Sequence, residues 1–247
     1  LNIPVKQLSR WMPMDKWDKC NAKPDLEFLR GRKCFGGLDL SSKIDLAALV
    51  LVFPPDDKDG IFDILCRFYC PEEGILKRSQ TDRIHYDIWQ NQGFLTATPG
   101  NVIDYAWIEK DILDAAKQYQ LCQIGFDSWN AQATATRIMD ELNPTGNEDG
   151  FQMVEVRQGA KSFNEPAKDL LVHVMTEKVR HGGHPVLRWC ADNLVMRSDP
   201  NGNVAPDKEK ATEKIDGMVA LIMAWGRAMF GNDETQSVYE TRGVVCL

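Results

Sequence analysis

The sequence predicts an α/β fold, a mixed β-sheet with helices on both faces. Three observations carry this expectation. Apolar runs at 34–41, 45–53 and 61–70 follow one another with short connections and read as adjacent antiparallel strands. Beyond them, strands alternate with helical segments, which requires parallel pairing and crossover connections. Aspartates interrupt or open these apolar elements, and a carboxylate there is costly to desolvate unless it is paired or binds a cation.

The elements follow in order. Residues 1–33 contain Trp11, Trp17, Pro4, Pro13 and Pro24 and read as a linker or docking segment with one short helix. The tryptophans there read as packing anchors. The run 45–53 (DLAALVLVF) is apolar almost throughout, and Pro54-Pro55-Asp56-Asp57 ends it. The run 61–70 (IFDILCRFYC) is rich in aromatic and aliphatic residues. Residues 72–92 are charged and contain a helix, and 95–98 is a brief strand. In 104–120, Ile108, Ile112, Ala115, Ala116 and Tyr119 fall at helical spacing. A short strand at 121–126 ends at Asp127. Residues 131–142 are helical, stopped by Asn143-Pro144-Thr145-Gly146, and 151–156 is another strand. An amphipathic helix spans 164–180 with Pro166 near its start. A short helix and a hairpin around Asn201-Gly202 occupy 186–206. The last helix is 215–230, and 231–247 reads as a loose polar tail. The globular domain is therefore expected over 34–230.

Bulk composition narrows the function. The chain has 247 residues with 43% hydrophobic and 26% charged, enough for an ordinary core. A formal net charge of −7 argues against coating nucleic acid by electrostatics alone, though not against a local basic groove. Seven cysteines, at 20, 34, 66, 70, 122, 190 and 246, form no CxxC pair. Cys66 and Cys70 share one strand face, but a zinc site needs further close ligands. Reduced, buried thiols of an intracellular protein are the reading. No apolar run reaches the roughly 18 residues of a membrane helix, and no signal peptide is visible. The chain starts at Leu1, which suggests a processed or excised piece. No phosphate-binding GxxxxGK[ST] loop and no GxSxG element occur.

The chemistry concentrates in acids. Asp39 lies mid-strand after Gly36-Gly37, and glycines there let another backbone or a ligand approach closely. It can also cap a turn, since Ser41 and Ser42 follow. Asp45 is an auxiliary acid if a tight turn over 41–44 returns it to Asp39, or an ordinary turn residue. Asp127 stands at the carboxyl end of an expected parallel strand, where open α/β sheets place ligands. It is equally placed to cap the next helix. Asp216 opens the last helix, either complementing its dipole or facing inward with Ala220 and Met223. Asp39, Asp127 and Asp216 together suggest one shared divalent-metal site, the usual equipment for cutting phosphodiesters. His181 and His184 flank glycines and read as a loop beside a helix end rather than a catalytic pair. Arg157, Lys161 and Lys168, and the run Lys208, Lys210 and Lys214, are candidate phosphate contacts. The second set is favoured because it leads into Asp216.

These segments together resemble the C-terminal nuclease domain of the large terminase subunit of tailed bacteriophages. The resemblance rests on GGLDLSSKIDLAALV (36–50), IGFDSWNA (124–131), VRQGAKSFNEPAKDLL (156–171), HGGHPVLRW with Asn193 (181–193), and KIDGMVALIMAW (214–225). It covers about residues 8–230. It implies an RNase H-like fold in which Asp39, Asp127 and Asp216 bind two Mg²⁺ or Mn²⁺ ions, with Asp45 auxiliary. The implied reaction is endonucleolytic cleavage of double-stranded, concatemeric viral DNA during genome packaging. It also implies that 1–33 follows an ATPase motor domain missing from this chain. Implied partners are that motor, the portal and the small terminase subunit, with no membrane. The implied setting is the host cytoplasm, transiently at the procapsid portal. Two other readings share parts of the pattern. A resolvase or transposase-like RNase H-like enzyme shares the acids, and a nuclease-derived docking domain needs none of them.

Overall fold

The computed structural model describes residues 10–40, 45–56, 60–75, 79 and 84–231. In chain order its elements are helix α1 (Met14–Trp17), a 3₁₀ turn (Asp18–Cys20), α2 (Leu26–Leu29), β1 (Lys33–Leu40), β2 (Ala47–Phe53) and β3 (Phe62–Pro71). Then come α3 (Tyr86–Asn91), β4 (Thr96–Thr98), α4 (Tyr105–Gln118), β5 (Gln120–Phe126), α5 (Ser128–Leu142) and β6 (Gln152–Glu155). The last are α6 (Ala160–Met175), β7 (Val179–Arg180), α7 (Pro185–Asp192), β8 (Met196–Ser198), β9 (Val204–Pro206) and α8 (Asp216–Phe230).

The main sheet runs β4-β3-β2-β1-β5-β6, with β7 also paired to β3. The strands β1, β2 and β3 are antiparallel neighbours. Strand β5 joins β1 in parallel, and β6 joins β5 in parallel. This is the expected mixed sheet. Its centre is covered on both sides, and β2 is accordingly buried along its whole length. Helices α4 and α5 cover one face through Ile108, Ile112, Ala131, Ala135 and Ile138. Helices α6, α7 and α8 cover the other. Helix α8 is apolar nearly all round because it lies between the sheet and α6, α7. Its single indole N–H is satisfied, since Trp225 Nε1 donates to Asp169 Oδ2 at 2.7 Å.

One element departs from expectation. The helix expected over 164–180 starts earlier, at Ala160, and stops at Met175, so Pro166 sits inside it. Glu177 takes a left-handed backbone, φ 59°. The chain then turns into β7 beside Phe62 and Asp63. The physical reason is Asp63, which is 1% exposed. Arg180 grips its two oxygens with a fork at 2.7 and 2.8 Å. A bidentate pair to a buried carboxylate outweighs the small helix propensity of one extra turn.

Residues 12–29 pack into the core. Met12, Trp17 and Cys20 join one side of the sheet, and Leu29 the other. Trp17 is fully buried and stacks on His181 at 4.3 Å, while His181 Nε2 lies 2.8 Å from the Trp17 carbonyl. Arg188 forks onto Asp18 at 2.7 Å twice. Trp17→Ala is therefore expected to lower stability by about 3 kcal/mol, read from urea unfolding. A segment merely tethered to the domain would give no change.

The six cysteines at 20, 34, 66, 70, 122 and 190 are free, and Cys246 lies outside the described residues. The same holds for the tail, whose structure from 232 on is not described. No helix among the described residues is long and apolar enough to cross a membrane.

Candidate active site

The site is built by one close approach. An ideal Cβ on Gly37 would stand 1.9 Å from the Ala220 carbonyl oxygen and 2.7 Å from the Ala224 nitrogen. Only glycine lets α8 lie this close to β1. Gly36 points the other way, toward Ile124 of β5. Strand side chains alternate, so Asp39 points to the same face as Gly37, one pleat further along. Asp216 stands one helical turn before Ala220. The strand and the helix thus carry the two aspartates to the same place.

A cation already joins them. Lys208 Nζ bonds Asp39 Oδ2 at 2.8 Å and Oδ1 at 3.2 Å, and lies 3.5 Å from Asp216 Oδ1. Both carboxylates are buried. Asp127 follows Phe126, which pairs with Leu38, so β5 ends beside Asp39. Asp45 precedes β2, whose Ala48 pairs with Asp39. Its carboxylate accepts the Leu46 N–H at 3.0 Å and pairs with the Lys214 ammonium. The turn 41–44 lies outside the described residues.

The electrostatics follow from burial. Desolvation raises the Asp39 carboxyl above its usual range. The Lys208 charge opposes this, and the charges of Asp127 and Asp45 add to it. Burial, with the Asp39 charge next, pushes Asp216 up to about 7. Burial works against the Lys208 ammonium, but Asp39 and Asp216 win and raise it. Asp216 is thus protonated in the folded chain and ionised in the unfolded one between pH of about 4 and 7. A raised acid stabilises fully below its unfolded value, and that contribution is lost as pH rises through the folded value. In EDTA, stability is expected to fall by roughly 2–3 kcal/mol from pH 5 to pH 8, the upper part of that window. Urea unfolding at pH 5 and 8 checks this, with Asp216→Asn flattening the difference.

The other candidates lie elsewhere. Lys168 donates to the Gly202 carbonyl at 3.2 Å, Lys210 pairs with Asp207 at 3.1 Å, and Lys161 is exposed on α6. Lys208 and Lys214, read from the sequence as phosphate contacts, are engaged with the carboxylates. Their spacing before Asp216 signalled proximity to the site but not which anion they meet. His184 is half-buried between Phe68 and Phe94, and desolvation lowers it to about 4, so it is neutral at pH 7. His181 is held by Trp17. Neither histidine joins the acids.

The donor chemistry suits a hard divalent cation, since every ligand candidate is a carboxylate oxygen. The Lys208 ammonium shows that the Asp39–Asp216 position accepts positive charge. Among the described residues, no three Asp, Glu, His or Cys side chains converge tightly enough to enclose a metal. The acids surround an ammonium at hydrogen-bond distances, which are longer than metal–oxygen distances.

A mixed sheet of this order, with helices on both faces, is an RNase H-like fold. The model of the family described as "Terminase large subunit, endonuclease domain" matches residues 1–232, and the chain belongs to that family. It is 37% identical over 231 residues to the terminase large subunit of Enterobacteria phage HK97, covering 92% of this chain and 43% of that protein. It is 30% identical over 244 residues to protein YmfN of Escherichia coli strain K12, covering 95% and 52%. The chain thus spans about half the length of the curated relatives it matches. The crystal structure of the HK97 large terminase superposes with a TM-score of 0.77 at 35% identity, over 88% of this chain and 43% of that one. The large terminase nuclease of thermophilic phage G20c shares the fold, with a TM-score of 0.50 at 11% identity over 80% and 85%.

Proposed function

We propose that this chain is a Mg²⁺- or Mn²⁺-dependent endodeoxyribonuclease. In the whole large subunit it would cut double-stranded, concatemeric viral DNA during packaging. The observation that carries this reading is the buried Asp39–Asp216 pair sharing one cation beside Asp127. Asp39, Asp127 and Asp216 would hold the divalent ions, with Asp45 auxiliary. The bound ions would supply an activated water and charge stabilisation at the leaving 3′-oxygen. The protein's own contribution is position: β1, β5 and α8 are rigid elements, and burial keeps the carboxylates fixed and short of bulk water.

The remaining parts of the reading belong to the longer protein. An ATPase motor domain preceding residues 1–33 would feed DNA to this domain. The portal and the small terminase subunit would bring the substrate to a chain whose net charge is −7. The setting would be the host cytoplasm, transiently at the procapsid portal.

The test is supercoiled plasmid incubated with purified chain in Mn²⁺, Mg²⁺ or EDTA. Nicking and linearisation that need metal support the reading. A strict requirement for a four-way junction would instead indicate a resolvase. No cleavage in any metal, with or without the motor domain, would rule out the nuclease assignment.

A further inference from the structure

We propose, on the reading that Asp39 and Asp216 hold the metal, that Lys208 is a tethered cation which a divalent ion must displace to load the site. The ammonium has three donors and meets three carboxylate oxygens on two elements, at 2.8, 3.2 and 3.5 Å. Asp39 and Asp216 are 2% and 5% exposed, so water does little to neutralise them. Lys208 does so from a side chain that is 38% exposed, which leaves its stem a path to solvent. A divalent ion held by Asp39 and Asp216 would need the same oxygens. A dication and an ammonium compete for those oxygens, because their repulsion is screened less at buried carboxylates than in water.

The backbone around Lys208 is anchored. Asp207 N–H donates to the Val195 carbonyl at 2.9 Å, and Ala211 N–H to the Asp207 carbonyl at 3.0 Å. Exchange therefore needs only rotation of a flexible four-carbon stem, not movement of the chain. Lys214 plays the same part for Asp45 at the more exposed rim. Without metal, Lys208 offsets part of the acids' charge from within. Metal affinity is then set by competition with the chain's own lysine.

The experiment is Mn²⁺ titration by calorimetry at pH 8.5 on the wild type, Lys208→Met and Lys208→Gln. Both variants are expected to bind Mn²⁺ at least tenfold more tightly. In EDTA they should melt below the wild type, with a larger rise on adding Mn²⁺. The wild type carries an independent readout should a variant fail to fold. Acetylation of Lys208, measured by mass spectrometry against exposed Lys161, should rise severalfold when Mg²⁺ saturates the protein. Variant affinities equal to or weaker than the wild type would overturn the proposal and leave the metal site standing. So would Lys208 reactivity that does not change at saturating metal. Failure of the wild type to bind any Mn²⁺ would overturn this proposal and the metal reading together.

Discussion

Asp39→Asn is expected to reduce metal-dependent plasmid cleavage on the order of 10³-fold or more while leaving the chain folded. The substitution keeps the shape and removes the charge. Asp39 is the innermost of the acids, 2% exposed, and the one that most directly meets the cation position. An amide there offers one neutral oxygen where the carboxylate offers two charged ones, so both metal affinity and charge stabilisation are lost. The fold should survive because asparagine still accepts from Lys208, and because burial already disfavours the ionised carboxylate. Asp127→Asn should behave alike in activity. Its place after β5 leaves the sheet register untouched. Circular dichroism and melting temperature establish folding, and gel quantification of nicked product gives the rate. A folded Asp39→Asn enzyme that cuts at the wild-type rate would remove Asp39 from the site.

The sheet was legible because its signals are local. DLAALVLVF has no polar face to expose, so it had to be a central strand, and β2 is buried on both faces. Gly36-Gly37 announced a close approach, and α8 makes it. Asp39 and Asp216 could be paired in advance only as acids in apolar elements. That they meet at the same level depends on α8 crossing β1 at Gly37, a tertiary fact. Three features were not legible, each because a distant partner decides it. β7 exists because Arg180 reaches Asp63, 117 residues away. Residues 12–29 look like a tether until Trp17 finds His181 and Asp18 finds Arg188. Lys208 reads as a phosphate contact until the fold sets it between two buried carboxylates.

Gly37→Ala is expected to destabilise the domain by about 5 kcal/mol or more, in the range reserved for a few severe mechanisms. The added methyl meets backbone, not a flexible side chain: 1.9 Å to the Ala220 oxygen and 2.7 Å to the Ala224 nitrogen. Overpacking that side chains can absorb costs about 1–3 kcal/mol. Here the relief must come from moving α8, which carries Met218, Leu221, Ile222 and Trp225 in the core. Moving α8 away from β1 also draws Asp216 from Asp39, so the same substitution should weaken Mn²⁺ binding in whatever fraction stays folded. Gly36→Ala is the control. Its methyl would face the Ile124 side chain at 2.6 Å on the opposite side of the sheet, so one side chain rather than a helix backbone must shift. Urea unfolding should therefore show a much smaller loss for Gly36→Ala than for Gly37→Ala. Equal losses would mean that the approach of α8 to Gly37 is not what sets the requirement for glycine.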